Sequence, residues 1–288
     1  MSHDLEVRRA GLRSTVQDLG RPGFADLGVP RSGAVDTASL KLANRLVGNP
    51  EELAGIETTL LGADLTFHSG RWIAVTGAVC PVTIGGRAAD PLRPQFVPAG
   101  ATLRIGTATR GVRSYVAVAG GIDVPPVLAS RSTDTLSGIG PPPLADAMRL
   151  PLGPPLGPPP PVDVAPRPML PPIARVRLIP GPRDGWFTEA SLGALTGTAY
   201  EVTPAGDRIG ARLRGAALIP RRPGGLPSEG VALGAVQVPP DGQPLVFLAD
   251  HPTTGGYPVV GVVHPADLWQ IAQAAPGTAV RFAWHRPG

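Results

Sequence analysis

The chain has 288 residues, 42% hydrophobic and 17% charged, with 38 glycines, 37 prolines and one cysteine. Such a composition fills real cores, favours short strands and tight turns over long helices, and excludes an internal disulfide or a cysteine-based metal cluster. The formal charge of +4 comes almost wholly from scattered arginines, Lys41 being the only lysine, and with 5% aromatics this is not the basic block of a nucleic-acid binder.

No apolar run reaches membrane-helix length and residues 1–11 do not read as a signal peptide, so a cytoplasmic protein is expected. Leu5-Glu6-Val7 reads as a first strand. Ser14 to Gly23 follows as a polar loop in which Gln17, Asp18 and Arg21 crowd donors and acceptors together. Leu27 to Asp36 repeats that grammar with Arg31, Ser32 and Gly33, and two such loops in succession point to function. Asp36 has the side chain of an N-cap, and Leu40, Ala43 and Val47 share one helical face up to Gly48. Pro50-Glu51 predicts a second, short helix. The N-terminus of the first helix then aims at the Arg31-Ser32-Gly33 loop. This fits an anion pocket, and equally a helix laid over the mouth of a barrel.

From Thr58 to Val118 short apolar runs alternate with Gly, Pro and Asp turns: Leu65–Phe67, Trp72–Val75, Val82–Ile84, Leu103–Ile105 and Tyr115–Val118. That spacing predicts a barrel or sandwich. Cys80 sits in an apolar run and reads as an inert buried thiol. Ser130 to Asp134 sets Ser132 and other hydroxyls around Arg131. The stretch 139–172 is dominated by proline and reads as an extended connector. The expected organisation is therefore a domain at 1–150, a connector at 151–172 and a domain at 173–288.

Arg175–Ile179 reads as a strand, Thr188 as the cap of a helix carrying Leu192 and Leu195, and Tyr200–Val202 as another strand. Gly206 to Gly210 is a turn holding Asp207 and Arg208. Ala235–Val238 and Leu245–Leu248 form a predicted hairpin around Pro239-Pro240-Asp241-Gly242. The second strand runs into Asp250-His251-Pro252-Thr253-Thr254-Gly255-Gly256-Tyr257-Pro258, a loop of bare amides and short hydroxyls suited to a small anion. Pro265–Gln273 reads as a short helix with Leu268 and Ile271 inward, and Val280–Trp284 as the closing strand.

No phosphate-loop lysine motif, no nucleophile elbow and no metal-ligand spacing of histidines is present. What remains is arginine, hydroxyl, carboxylate and glycine chemistry, suited to gripping a small charged ligand during acyl or phosphoryl transfer.

Eight ordered motifs resemble one family. They are STVQDLGRPG from Ser14, GVPRSGAVD from Gly28, LANRLVGNP from Leu42 and RSYVAVAGGIDVP from Arg113. SRSTDTLSG from Ser130, GDRIG from Gly206, SEGVALGAVQVPP from Ser228 and DHPTTGGYP from Asp250 complete the set. Together they resemble the family of the 5-oxoprolinase C-type subunit, also called allophanate hydrolase subunit 2 or the biotin-dependent carboxyltransferase-domain family. The resemblance implies a mainly β chain of two cyclophilin-like β-barrel domains with a few short helices. It implies partners: the related barrel-shaped B-type subunit of 5-oxoprolinase and its lactam-opening A-type subunit, but no nucleic acid and no membrane. The implied activity is ATP-dependent cleavage of 5-oxoproline to glutamate, with ATP and Mg2+ acting through the complex. The alternatives are a carboxyltransferase subunit of a biotin-dependent urea or amide carboxylase, or a non-catalytic regulatory subunit. Lys41 lacks the context of a biotin-bearing lysine, so no covalent biotin is expected on this chain.

On this reading Asp18, Arg31, Asp207, Arg208 and Asp250 are the catalytic candidates. Gln17, Arg21, Ser32, Arg131, Ser132, Glu229, Gln237, Thr253, Thr254, Gly255, Gly256 and Tyr257 are the candidates for binding substrate or nucleotide. Arg31, Arg131 or Arg208 would fork a carboxylate or phosphate. Asp18, Asp36, Asp207 or Asp250 would hold magnesium or orient an arginine, with no dedicated metal site on the chain. Where the family often has Ser-Asp-Arg-Met-Gly, this chain has Gly206-Asp207-Arg208-Ile209-Gly210, keeping the charges and losing the hydroxyl.

Overall fold

The structure, a computed structural model, describes residues 4–167, 169–221 and 226–285. Its contacts divide the chain into two units, Met1–Arg21 with Ser32–Met169, and Pro22–Arg31 with Leu170–Gly288. The chain is mainly β, with three short α-helices among the described residues.

The first unit holds two antiparallel sheets. One orders its strands Arg149–Pro151, Asp4–Arg9, Asp64–Phe67, Thr102–Ile105, Val82–Ile84 and Arg87–Ala88. The other orders Ser14–Gln17, Gly55–Thr59, Arg110–Val118, Arg71–Val79 and Gln95–Val97. Period-two alternation explains their shared core: Leu5, Val7, Leu65 and Phe67 from one sheet meet Ile56, Ile73, Val116 and Val118 from the other. Proline-rich residues lie along this unit: Arg149–Pro151 forms an edge strand, where proline is tolerated, and the Ala165 amide donates to Leu92 O at 2.7 Å.

The opposite face of the five-stranded sheet carries the helix Thr37–Leu46. Small residues on the sheet, Ala74, Ala117 and Ala119, let Ala43, Leu46 and Val47 pack closely. At Gly55 a Cβ would stand 2.7 Å from Val116 O and 3.1 Å from Leu40 Cδ1, so the approach requires glycine. Asp36 caps the helix as expected, accepting from the Ser39 amide at 3.1 Å and the Ser39 hydroxyl at 2.6 Å.

Two local expectations are corrected. No helix forms at Glu51; residues 51–53 are a turn. Asn44 Nδ2 donates to the carbonyls of Glu51 and Leu53 at 3.1 and 2.7 Å, and the chain enters the strand Gly55–Thr59 immediately. Ser14–Gln17 is a fully buried strand rather than loop, because it pairs with Gly55–Thr59.

That pairing aligns Thr15, Glu57, Tyr115 and Thr76 in one row across four strands, beneath the helix. The Tyr115 hydroxyl donates to Glu57 at 2.8 Å and accepts from the Asp36 amide at 2.7 Å, while Glu57 also accepts from the Val35 amide at 3.0 Å. Burial, and then the Glu57 and Asp36 carboxylates, push the Tyr115 phenol well above its ordinary value. Tyr115→Phe strips the donor from one buried acceptor and the acceptor from one buried amide. It is expected to lower unfolding free energy by about 1–3 kcal/mol in a denaturant titration; a parental midpoint would contradict the network.

The second unit is a closed barrel of seven strands, in the order Ile173–Pro180, Val259–Val263, Ala235–Gln237, Leu245–Phe247, Gly210–Arg214, Tyr200–Val202 and Ala279–Trp284. Neighbours are antiparallel except at the seam, where Ile173–Pro180 and Ala279–Trp284 run parallel. The predicted hairpin is present, with Val236 opposite Val246, and the Gly242 amide closes its turn onto Pro239 O at 2.9 Å. Thr188 caps the helix Glu189–Gly197, which buries Ser191 and Leu195. The predicted C-terminal helix divides into a 3-10 turn, Pro265–Asp267, and a helix, Leu268–Ala272, with Leu268 and Ile271 inward. Among the described residues no helix is long and apolar enough to cross a membrane.

Candidate functional site

In the first unit the loop after Ser14–Gln17 and the loop around Ser130 are tied together by Asp18. Its Oδ1 accepts from the hydroxyls of Ser130 and Ser132 at 2.7 and 2.5 Å and from the Gly20 amide at 2.7 Å. Its Oδ2 accepts from the Arg131 amide at 2.6 Å. A buried carboxylate holding four donors is a loop organiser, and its lone pairs are already committed. Gln17, fully buried, donates through Nε2 to Thr15 Oγ1 and to Thr133 O, both at 2.9 Å, and the Ser32 hydroxyl donates to the same Thr133 carbonyl at 3.0 Å. Arg21 donates to Ser132 O. The close approach is visible at Gly140, where a Cβ would collide with Ser132 O and stand 3.0 Å from Arg21 Nη2. The structure thus brings Gln17, Asp18, Arg21, Ser32 and Ser132 into one polar cluster. The Arg131 amide joins it, while the Arg131 guanidinium turns to Val124 O and Asp123 at 2.8 Å each.

The helix N-terminus is not an anion pocket. The amides of Val35, Asp36 and Ser39 donate to Glu57, Tyr115 and Asp36 respectively. Two carboxylates already stand where an incoming anion would go, so charge repulsion opposes it. The helix also does not lie over the mouth of a barrel, the other reading; it packs on the face of the five-stranded sheet.

In the second unit Arg208 and Asp250 form a two-pronged pair, Nε to Oδ2 at 2.9 Å and Nη2 to Oδ1 at 3.0 Å. Both are interior residues, 1% and 0% exposed. The Asp250 amide also donates to Arg208 O at 3.0 Å, so backbone and side chain repeat the same contact. Asp207 instead accepts from the amides of Ile209 and Gly210, at 2.7 and 3.3 Å, and shapes the turn.

The loop after Asp250 is built on a two-residue ribbon, Glu229–Gly230 against Thr254–Gly255. Gln237 Nε2 donates to Tyr257 O at 3.0 Å, and a Cβ at Gly255 would lie 2.7 Å from that nitrogen. Thr254 and Tyr257 are exposed, Thr253 and Gly256 are half-buried, and Gln237 packs against Gly255. Arg31 also counts with this unit; it is exposed and has no hydrogen-bond or ion-pair partner among the described residues.

The four proposed magnesium acids do not make a metal centre. Asp18, Asp36, Asp207 and Asp250 each accept from protein donors, and no group of three acid, histidine or cysteine side chains able to hold a metal occurs among the described residues. Sequence reasoning missed Glu57, Tyr115 and Thr133 in the first unit and Arg183 in the second. Cys80 is buried, 3.6 Å from the Ser114 hydroxyl, and burial pushes its thiol up, consistent with an inert side chain.

A family model described as carboxyltransferase domain, subdomain A and B, matches residues 27–284. The C-type subunit of 5-oxoprolinase from Escherichia coli (strain K12) is 38% identical over 281 residues, covering 96% of this chain and 90% of that protein. The urea amidolyase of Saccharomyces cerevisiae is 32% identical over 303 residues, covering 96% of this chain and 16% of that protein. Among solved structures, TTHA0988 superposes with a TM-score of 0.87 at 38% identity, over 98% of this chain and 55% of that one. The urea amidolyase of K. lactis superposes with a TM-score of 0.91 at 30% identity, over 98% of this chain and 18% of that one.

Proposed function

Because the chain belongs to the carboxyltransferase-domain family, subdomains A and B, we propose that it is one subunit of an ATP-dependent 5-oxoprolinase. In this reading it works with two others, a related barrel and a lactam-opening enzyme, to turn 5-oxoproline into glutamate. One observation carries the choice: the match to the C-type 5-oxoprolinase subunit spans 90% of that protein, whereas the match to yeast urea amidolyase spans 16% of a far longer chain.

The chemistry follows from the substrate. Transfer of the γ-phosphoryl group of ATP to the lactam oxygen makes the ring carbon a better electrophile. Water adds there, the tetrahedral adduct expels the ring nitrogen as the amine to leave γ-glutamyl phosphate, and a second water then displaces phosphate, which carries the former lactam oxygen, to give glutamate. This chain would supply anion recognition: the Thr253 and Thr254 hydroxyls and the Gly255-Gly256 backbone against developing negative charge, and the exposed Arg31 guanidinium for a carboxylate or phosphate. Arg208 would act through the loop that Asp250 begins, since its fork already faces that carboxylate. Among the described residues no set of acids fits a magnesium site.

The second reading is carboxyl transfer from carboxybiotin to an amide nitrogen, favoured by the TM-score of 0.91 to the K. lactis urea amidolyase. The purified chain, mixed with its two candidate partner subunits, ATP and 5-oxoproline, is expected to yield glutamate and phosphate in equal amounts. A soluble complex that makes neither, yet carboxylates urea when given a carboxylated biotin carrier, would replace the first reading with the second.

A further inference from the structure

The outward loop Thr253–Tyr257 is braced on two sides by one residue that no motif singled out. We propose that Arg183 is a positioning residue for this loop. Its guanidinium grips Glu229, with Nη2 to Oε2 at 2.7 Å and Nε to Oε2 at 3.2 Å. Glu229 lies directly opposite Gly255 in the ribbon, and the next rung continues as the Val231 amide donating to Thr253 O at 3.0 Å. On the far side of the loop, the Arg183 amide donates to Val259 O at 3.3 Å. One residue therefore holds the strand that pairs with the loop through its side chain and the strand leaving the loop through its backbone.

Two further features make Arg183 a brace rather than a passing surface charge. Its guanidinium carbon lies 5.8 Å from the centroid of the Trp186 ring, which limits the rotamers open to the arginine. The fork-to-carboxylate geometry fixes the plane of Glu229 in a way a single ammonium does not. The pair also neutralises Glu229. Without Arg183, an uncompensated carboxylate would stand on the ribbon beside hydroxyls meant to meet an anion. What the loop binds rests on the function proposed above; that Arg183 orders the loop does not.

The test separates the two. Hydrogen–deuterium exchange on the full chain is expected to show the amides of Thr253–Tyr257 exchanging roughly three- to fivefold faster in Arg183→Met, the size of effect a half-exposed ion pair supports. Exchange in Val259–Val263 should stay at the parental rate, and Arg183→Lys should fall between. In the reconstituted complex, Arg183→Met is expected to raise KM for the anionic substrate more than it lowers kcat. Adding Glu229→Gln should restore much of the KM but not the slow exchange. Parental exchange across Thr253–Tyr257 in Arg183→Met overturns the proposal whatever the activity shows. If Arg183→Met also loosens the barrel strands, Arg183→Lys decides: faster exchange confined to the loop supports the brace, and parental exchange overturns it. Absence of glutamate from the parental complex would fall on the proposed reaction and leave the exchange result standing.

Discussion

Arg208→Ala is expected to cost the second unit about 3–5 kcal/mol, because it leaves the Asp250 carboxylate charged and buried without its fork. Against a total stability of roughly 5–15 kcal/mol for a domain, that loss threatens folding before any effect on turnover can be read. The pair is 1% and 0% exposed, so solvent cannot take over for the missing guanidinium. A double variant tests the sign. Arg208→Met combined with Asp250→Leu removes both charges and keeps volume, and should recover most of the loss seen in the single variant. Arg31→Ala, by contrast, trims an exposed side chain and should leave the denaturation midpoint where it was. If Arg208→Ala melts with the parent and only activity falls, the guanidinium is a substrate group and the structural account of it fails.

The second large effect is expected at Asp18. Asp18→Ala removes the acceptor of two amides and two hydroxyls at once. The hydroxyls can rotate toward other acceptors, but the Gly20 and Arg131 amides cannot. The cost should be on the order of 3 kcal/mol in the first unit, given about 1–3 kcal/mol for each buried donor left unmet. Asp18→Asn is the informative comparison. Its carbonyl can keep the Oδ1 role toward Gly20, Ser130 and Ser132, while its NH2 faces the Arg131 amide, donor against donor. The midpoint of Asp18→Asn should therefore fall between those of the parent and Asp18→Ala in denaturant titrations. Equal midpoints for the two variants would mean that the carboxylate does not organise the loops as described.

Both expectations depart from what the residue types alone suggest. In sequence, Asp18, Arg208 and Asp250 look like exposed catalytic charges on glycine-rich loops. The barrel register changes that: Gly210 pairs with Phe247, which carries Arg208 and Asp250 side by side although 42 positions separate them. Separation of that size is invisible to local pattern, whereas the hairpin, the strands Tyr115–Val118 and Val280–Trp284, and the Asp36 and Thr188 caps depend on neighbours and were legible. The strands Ser14–Gln17 and Gly55–Thr59 were not, for a related reason. Their polar side chains sit on a sheet face roofed by the helix Thr37–Leu46, so hydropathy reads as loop what pairing makes interior. Of the two readings open for that helix, the anion pocket fails because Glu57 arrives from a distant strand to take the Val35 amide.

The seam between Ile173–Pro180 and Ala279–Trp284 has a consequence for how the protein is made. These are the first and last strands of the barrel, so a growing chain on the ribosome exposes the edge of Ile173–Pro180 until Ala279–Trp284 has been made. An open edge recruits other strands, and long-range parallel pairing forms slowly. Closure of the barrel therefore waits for its last strand, and a ribosome stalled before Ala279 would leave that edge open.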